Sequence, residues 1–237
     1  MIKGLTTVVV VGYHKTRLSA HMTMACLANI TKYTDTEDYE LILIEDTVAD
    51  EQFYEVRDDY HVLKIDKHII LDKYTNYSTK MNIAAKEANG EFICFIQNDV
   101  FVWEGWLKGL RYYLENGLGE AIIPSQIPCT REWILESNAM SYEDGLNQGA
   151  RDACMIMITR SAFDKTGGFN DDLRAFVEAD FYERMGNAGV NQITTNKVQI
   201  THITLGTHYQ DMDAMDKKVH HDSLIRNHGV DPRSLDD

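Results

Sequence analysis

This sequence predicts a single α/β domain, with a mainly parallel, mixed sheet flanked by helices. Three observations lead there. Short apolar runs alternate with helical periods through the first 120 residues, the order of a doubly wound sheet with right-handed crossovers. The runs are continuous and β-branched, as strands buried on both faces are. The chain has 237 residues, 44% of them hydrophobic and 25% charged, with 3 prolines and 15 glycines. That is enough for one sizeable core and too little Pro or Gly for flexible linkers between modules.

The elements follow in order. Thr6 to Val11 is a buried strand closed by Gly12, and Thr16 to Ile30 places Leu18, Met22, Cys26 and Ile30 near helical spacing. Tyr39 to Ile44 is the second strand, ending at Glu45 and Asp46; Glu51 to Asp58 reads as a polar surface helix and His61 to Ile65 as a weaker third strand. Tyr77 to Ala88 is a helix of good formers capped by Asn89 and Gly90. It leads into Glu91 to Ile96, the most apolar strand, which runs into Gln97, Asn98 and Asp99. Trp106 to Leu114 is a helix and Ala121 to Ile123 a short strand.

Ser125 to Gly149 carries no period and reads as a long functional loop. Ala153 to Thr159 is a strand, Arg160 to Thr166 a helix stopped by Gly167 and Gly168, and Val177 to Asn187 another helix. Val198 to Ile203 is a late strand and Asp213 to Asn227 a polar helix.

Charge and cysteines narrow the partners. Against 23 Lys and Arg stand 37 Asp and Glu, a net charge of −14, which disfavours nucleic acid and anionic lipid without excluding a local exception. The C-terminal cluster of Lys217, Lys218, His220, His221, Arg226 and His228 is interleaved with acids and reads as a solvated face. Cys26, Cys94, Cys129 and Cys154 are widely spaced, with no CxxC, as in a reducing compartment. No apolar stretch approaches the roughly 20 residues that span a bilayer. The expectation is a cytoplasmic protein without stable membrane insertion.

Ligands of open α/β sheets sit beyond the carboxyl ends of the strands. Here those ends carry Gly12, Tyr13 and His14; Glu45 and Asp46; and Gln97, Asn98 and Asp99. Taken singly each is an ordinary turn or cap residue; together they outline a nucleotide site. The first loop, GYHKTR, has neither GxGxxG nor GxxxxGK[ST], so a diphosphate needs another counter-charge. A divalent cation on Asp99 is the candidate.

The ordered segments TVVVVGYHKTRL, YELILIEDT, KMNIAAKEANGEFICFIQNDVFVWEGWL, MIMITRSAFDKTGGFNDDL and EADFYERMGNAG resemble family 2 nucleotide-sugar glycosyltransferases of the GT-A fold, over roughly residues 6 to 208. The resemblance implies a domain over 1–228, with a nucleotide-sugar-binding half to about 124, an acceptor-binding half from about 125, and a tail at 229–237. It implies that Gly12, Tyr13 and His14 meet the nucleoside and that Asp46 bonds base or ribose. Asn82 matches an Asn of the helix before the fourth strand, and Asn98 and Asp99 occupy the DxD position, with Asp99 on the metal.

By the same resemblance Glu178 stands at the catalytic base, with Asp180 two residues on, and His202, or His208 in its place, completes the metal site. The chain departs from the family at His14, at Asn98 and at Glu178, where Asn, an acid and Asp are usual.

The implied function is inverting transfer of a sugar from a nucleotide-sugar donor, a UDP-sugar by expectation, to a hydroxyl acceptor, with Mn or Mg. The acceptor is left open among glycan, protein, small molecule and modified base. Alternatives are transfer to a modified nucleic-acid base, and a non-catalytic relative that binds nucleotide or sugar without turnover. Glu178 and Asp180 read alternatively as a charged helix start, and His202 and His208 as satisfied polar positions. Trp103 and Trp106 are read as core packing, the other reading being an acceptor platform.

Overall fold

The computed structural model describes residues 1–12, 17–34, 38–46, 59–126, 140–148, 154–173 and 177–203. The expected helices at Glu51 to Asp58 and Asp213 to Asn227, most of the loop Ser125 to Gly149, and Cys129, Tyr13, His14 and His208 lie outside them.

Among the described residues the order is β1 (Ile2–Val11), α1 (Arg17–Tyr33), β2 (Tyr39–Asp46), a 3-10 turn (Asp59–Val62), β3 (Lys67–Leu71), α2 (Tyr77–Glu87) and β4 (Gly90–Gln97). There follow β5 (Val100–Phe101), α3 (Trp106–Glu115), β6 (Ala121–Gln126), β7 (Leu146–Gln148), β8 (Met155–Thr159), α4 (Arg160–Thr166), α5 (Val177–Asn187) and β9 (Gln192–His202). One sheet runs β3-β2-β1-β4-β8-β6-β9-β5, with β7 on β9. Strands β3, β2, β1 and β4 are mutually parallel, as the first half of the sequence predicts. Beyond β4 the direction reverses, because β8 is antiparallel to both β4 and β6.

Strand β1 explains the continuous apolar run. Val8 and Val10 pack with Cys26, Leu27 and Ile30 of α1 and Trp106 and Leu110 of α3 on one face. Val9 and Val11 pack with Met81 and Ala84 of α2, Phe163 of α4 and Phe181 of α5 on the other. A strand covered on both sides cannot alternate with polar residues.

Two strand expectations are corrected. His61 to Ile65 is not a strand: Asp66 Oδ2 accepts from Leu41 N at 2.8 Å and Asp66 N donates to Leu41 O at 2.9 Å, so pairing with β2 begins one residue later, at Lys67. The late strand starts at Gln192, not Val198. Its first half pairs with Ala121–Pro124, and the ladder then skips from Thr195 to Gln199, which interrupts the apolar pattern.

Glu40, on β2, ties that strand to β1 and to the residue that precedes β4. Its carboxylate accepts from Thr7 Oγ1 at 2.5 Å and from Asn89 N at 2.5 Å and Nδ2 at 2.8 Å. Burial works to push its pKa up, but the hydrogen bonds from Thr7 and Asn89, with the charge of Lys67, prevail and hold it below the ordinary 4.5. Since the folded value is depressed, this stabilisation is present above pH 4.5 and is lost as pH falls through the folded value. Glu40→Gln is therefore expected to lower stability at neutral pH while flattening the acid limb of a plot of unfolding free energy against pH.

Candidate active site

The carboxyl ends of β1, β2 and β4 lie side by side, with Val11 opposite both Ile44 and Gln97. Gly12, Asp46, Asn98 and Asp99 therefore crowd one edge of the sheet, as the strand-end rule requires. Lys80, to which the resemblance assigned no role, joins two of these ends. Its Nζ lies 2.6 Å from Asp46 Oδ2 and donates to Gly12 O at 3.1 Å, and its side chain is only 3% exposed. Asp46 Oδ1 also accepts from Thr75 N at 3.0 Å. Burial pulls the Lys80 ammonium below its ordinary value, while the charges of Asp46 and Glu45 act to keep it protonated. The signal available in the sequence was a lysine three residues after Tyr77 and four before Ala84, within an apolar helical stripe.

Removing one partner of a buried pair leaves the other's charge uncompensated. Lys80→Met is expected to cost about 2 kcal/mol, less than for a fully dry pair because Asp46 keeps 15% of its side-chain exposure. Urea unfolding of both proteins measures it.

Asn98 and Asp99 form the turn between β4 and β5. Asn98 Nδ2 donates to Thr23 Oγ1 on α1 at 2.8 Å. Below the turn lies Cys26, whose thiol is pushed above its usual range by burial and by the negative charge of Asp99.

Pairing of Val100 with His202 carries the end of β9 to the same turn, where Ile203 N donates to Asp99 O at 3.0 Å. His202 Nε2 stands 3.3 Å from Asp99 Oδ1. Its other nitrogen, Nδ1, is 3.3 Å from Gln126 Oε1. When Nδ1 donates to that oxygen and the ring is neutral, Nε2 offers a lone pair beside the carboxylate, a pairing that a shared cation satisfies.

One carboxylate oxygen and one imidazole nitrogen suit Mn²⁺ and similar divalent ions, and the bond to Gln126 orients the ring. Among the described residues no group of three His, Cys, Asp or Glu side chains could hold a metal by itself. Two protein ligands nevertheless fit a cation that shares its shell with substrate phosphates and water.

Glu178 opens α5, where the helix dipole favours negative charge. Gln97 Nε2, at the end of β4, donates to its Oε1 at 3.2 Å. Tyr77 registers both acids. Burial drives its ionisation well above the tyrosine norm, and negative charge at Glu178, Cys154 and Asp99 adds to the shift, while a hydrogen bond with Gln97 opposes it. Gln97, which holds Glu178, stands two residues before Asp99, so both acids belong to the end of β4. Beside Glu178 a void of about 10 Å³, room for one water, lies against Phe169 and Phe181.

Two further expected residues serve the scaffold. Asp180 is 1% exposed, and its Oδ2 accepts from Arg184 Nε at 2.8 Å. Arg184 in turn donates to Thr166 O and Gly168 O. Asn82 Nδ2 donates to Phe169 O and Asp171 Oδ1, and its Oδ1 accepts from Phe169 N, each at 2.8 Å. Both hold the Gly167–Gly168 turn. There Gly168 has φ +74°, and an added Cβ would fall 2.7 Å from Asn82 Oδ1, so glycine is required.

Of the expected site residues, the structure brings Gly12 and Asp46 together through Lys80, Asp99 together with His202, and Glu178 to the end of β4. Asn82 and Asp180 lie behind it.

Known proteins share this architecture. No curated protein matches the chain in sequence. Among solved structures, GalNAc-T7 with UDP, GalNAc and Mn²⁺ superposes with a TM-score of 0.67 at 16% identity, over 83% of this chain and 43% of that one. TarS 1-349 of S. aureus with UDP-GlcNAc gives 0.66 at 13% identity, over 98% and 69%. The mannosyltransferase PcManGT of Pyrobaculum calidifontis with GDP-Man and Mn²⁺ gives 0.65 at 17%, over 98% and 64%. The chain thus spans about 43–69% of the length of these proteins. The sequence profile described as glycosyl transferase family 2 matches residues 7–170, well over half of the chain. With its strand order, its acidic turn after β4 and this match, the chain belongs to glycosyl transferase family 2 and has the GT-A fold.

Proposed function

We propose that this chain is a metal-dependent inverting glycosyltransferase that moves a sugar from a nucleotide-sugar, a UDP-sugar first among the candidates, to a hydroxyl acceptor. The observation that carries this reading is the hydrogen bond from Gln97 Nε2 to Glu178 Oε1 at 3.2 Å, which brings the candidate general base to the strand end that carries Asp99, the candidate cation ligand. The solved structures with UDP, UDP-GlcNAc and GDP-Man support a nucleotide donor, and two of the three carry Mn²⁺.

In this reading Gly12, Tyr13, His14 and Asp46 receive the nucleoside, Gly12 and Asp46 being fixed by Lys80. Asn98, held to Thr23, shapes the turn that presents Asp99. Asp99 and His202 hold the divalent ion, Mn or Mg, with His208 as the other candidate histidine. Bound there, the ion supplies Lewis-acid stabilisation of the leaving nucleoside diphosphate.

Glu178 takes the proton of the acceptor hydroxyl as its oxygen bonds to the anomeric carbon. The carbon–oxygen bond to the diphosphate breaks, and the leaving group takes the electron pair. One displacement inverts the anomeric centre. Gln97 orients the base, and Asp180 and Asn82 act as positioning residues behind it.

The chain to about residue 124 then supplies the donor side, and the chain from about 125 to 228 the acceptor side. No helix among the described residues is long and apolar enough to cross a membrane. With Cys26, Cys94 and Cys154 buried and in no disulfide among the described residues, a reducing cytoplasm is the proposed setting.

Calorimetry with UDP and GDP, with and without Mn²⁺, followed by donor hydrolysis across several nucleotide-sugars, tests this function. Metal-dependent binding with turnover supports it. Binding with no turnover of any donor supports a non-catalytic relative instead.

A further inference from the structure

Gly12 and Asp46 are each held at two points, and Lys80 is common to both. The Gly12 N–H donates to Ile44 O at 2.8 Å, while the Gly12 carbonyl accepts from Lys80 Nζ at 3.1 Å. Asp46 Oδ1 accepts from Thr75 N at 3.0 Å, and Asp46 Oδ2 lies 2.6 Å from Lys80 Nζ. Thr75 and Lys80 belong to one stretch of chain, the loop into α2 and that helix itself. Helix α2 is fixed in turn: Asn76 caps it by accepting from Thr79 N at 2.8 Å, and buried Ser78 Oγ donates to Leu173 O at 3.3 Å.

The two partners of the ion pair differ in access. The Lys80 side chain is 3% exposed, whereas Asp46 keeps 15%, which is where an N–H or O–H group of a ligand can reach its carboxylate. Two points of attachment, one on each oxygen, set the plane of that carboxylate and so the direction in which it accepts. Charge matters as well. Asp46 follows a second acid, Glu45, at the end of β2, and Glu45 is fully buried with His68 Nε2 at 2.8 Å. A nucleoside diphosphate is an anion, so an uncompensated carboxylate at Asp46 would repel the ligand that it binds. The ammonium beside it offsets that charge.

We propose that Lys80 is a positioning residue for the nucleoside half of the donor: it aims the Asp46 carboxylate and cancels its charge, and so lets an acid bind part of an anionic ligand. Lys80 acts through Asp46 and touches no ligand itself. The inference rests on the nucleotide-sugar reading and deepens it, because it divides donor recognition in two. Nucleoside affinity depends on Lys80, and affinity for the metal-bound phosphates at Asp99 does not.

Calorimetry of the full chain in excess Mn²⁺, with UDP, GDP and pyrophosphate, tests it; pyrophosphate offers the phosphates without a nucleoside. In Lys80→Met the better-bound of UDP and GDP is expected to bind about 10–100-fold more weakly, the worth of a hydrogen bond to a charged group. Pyrophosphate should bind as it does to the wild type. In an Asp46→Asn background, where the phosphates still hold the nucleotide, adding Lys80→Met is expected to change nucleotide affinity by less than about twofold, since Lys80 then has no carboxylate to act through. The double variant also removes both buried charges together, so neither is left unpaired. Lys80→Gln, which can still donate to Asp46, takes the place of Lys80→Met if urea unfolding shows that the latter does not fold. Wild-type nucleotide affinity in the Lys80 variant overturns the proposal. An equal loss for pyrophosphate also overturns it, as a general disturbance of the site, and so does a full loss in the Asp46→Asn background, which would route the effect through Gly12. If the wild type binds neither UDP nor GDP, the nucleotide-sugar reading itself fails, and this proposal with it.

Discussion

Asp99→Asn is expected to abolish the metal dependence of nucleotide binding and bring sugar transfer to background. Asparagine keeps the shape of the side chain, and the bond from Ile203 N to the Asp99 main-chain oxygen is untouched, so the fold should hold. What is lost is the anionic oxygen that faces His202 Nε2. Residues that only orient a metal ligand are worth about 10–100-fold in affinity or activity, so loss of a charged ligand is expected to cost about 100-fold or more in Mn²⁺-dependent UDP binding. Calorimetry with and without Mn²⁺ decides the matter. If the variant bound UDP with wild-type affinity and still responded to Mn²⁺, the cation would have to sit elsewhere.

The fold was legible where burial imposes a pattern. TTVVVV, YELILI and EFICFI each lie between two layers of helix, so their apolar runs register directly as parallel strands. Edges were less legible. Strand β3 alternates in exposure along Lys67–Leu71, and the start of the ladder is set by a side chain, Asp66, that no period records. The same contrast holds at the site. Asp99 and Asp46 stand at strand ends, which a sequence can locate.

His202 reaches Asp99 only through the pairing of β5 with β9, across about a hundred residues of chain. Its register depends on the skipped ladder positions before Gln199, a feature of the folded sheet alone. Gln126, against the same ring, came with no signal for the same reason. Asp180 illustrates the converse. A family register marks it as acidic and near the base, but the ion pair with Arg184 and its burial give it the work of holding a turn.

Glu178→Gln separates binding from chemistry. The substitution is isosteric, and glutamine keeps an oxygen that can accept from Gln97 Nε2, so the side chain should stay where it is. Nothing on the nucleotide side changes: Asp46, Lys80, Asp99 and His202 are all retained. A positioned general base contributes roughly 10²–10⁴-fold, so kcat is expected to fall by about that factor while KM for the donor stays within a few-fold.

The pH profile should change as well. A carboxylate must be ionised to accept the acceptor's proton, so the wild-type rate should rise with pH through the ionisation of Glu178, and that limb should be missing from the variant. A merely structural glutamate would give neither signature, because its loss would lower stability and move both kinetic constants together. Transfer at the wild-type rate by Glu178→Gln, with the acid limb intact, would place the base on another residue. Asp180 is poorly suited to take that role, since its carboxylate is buried and bonded to Arg184.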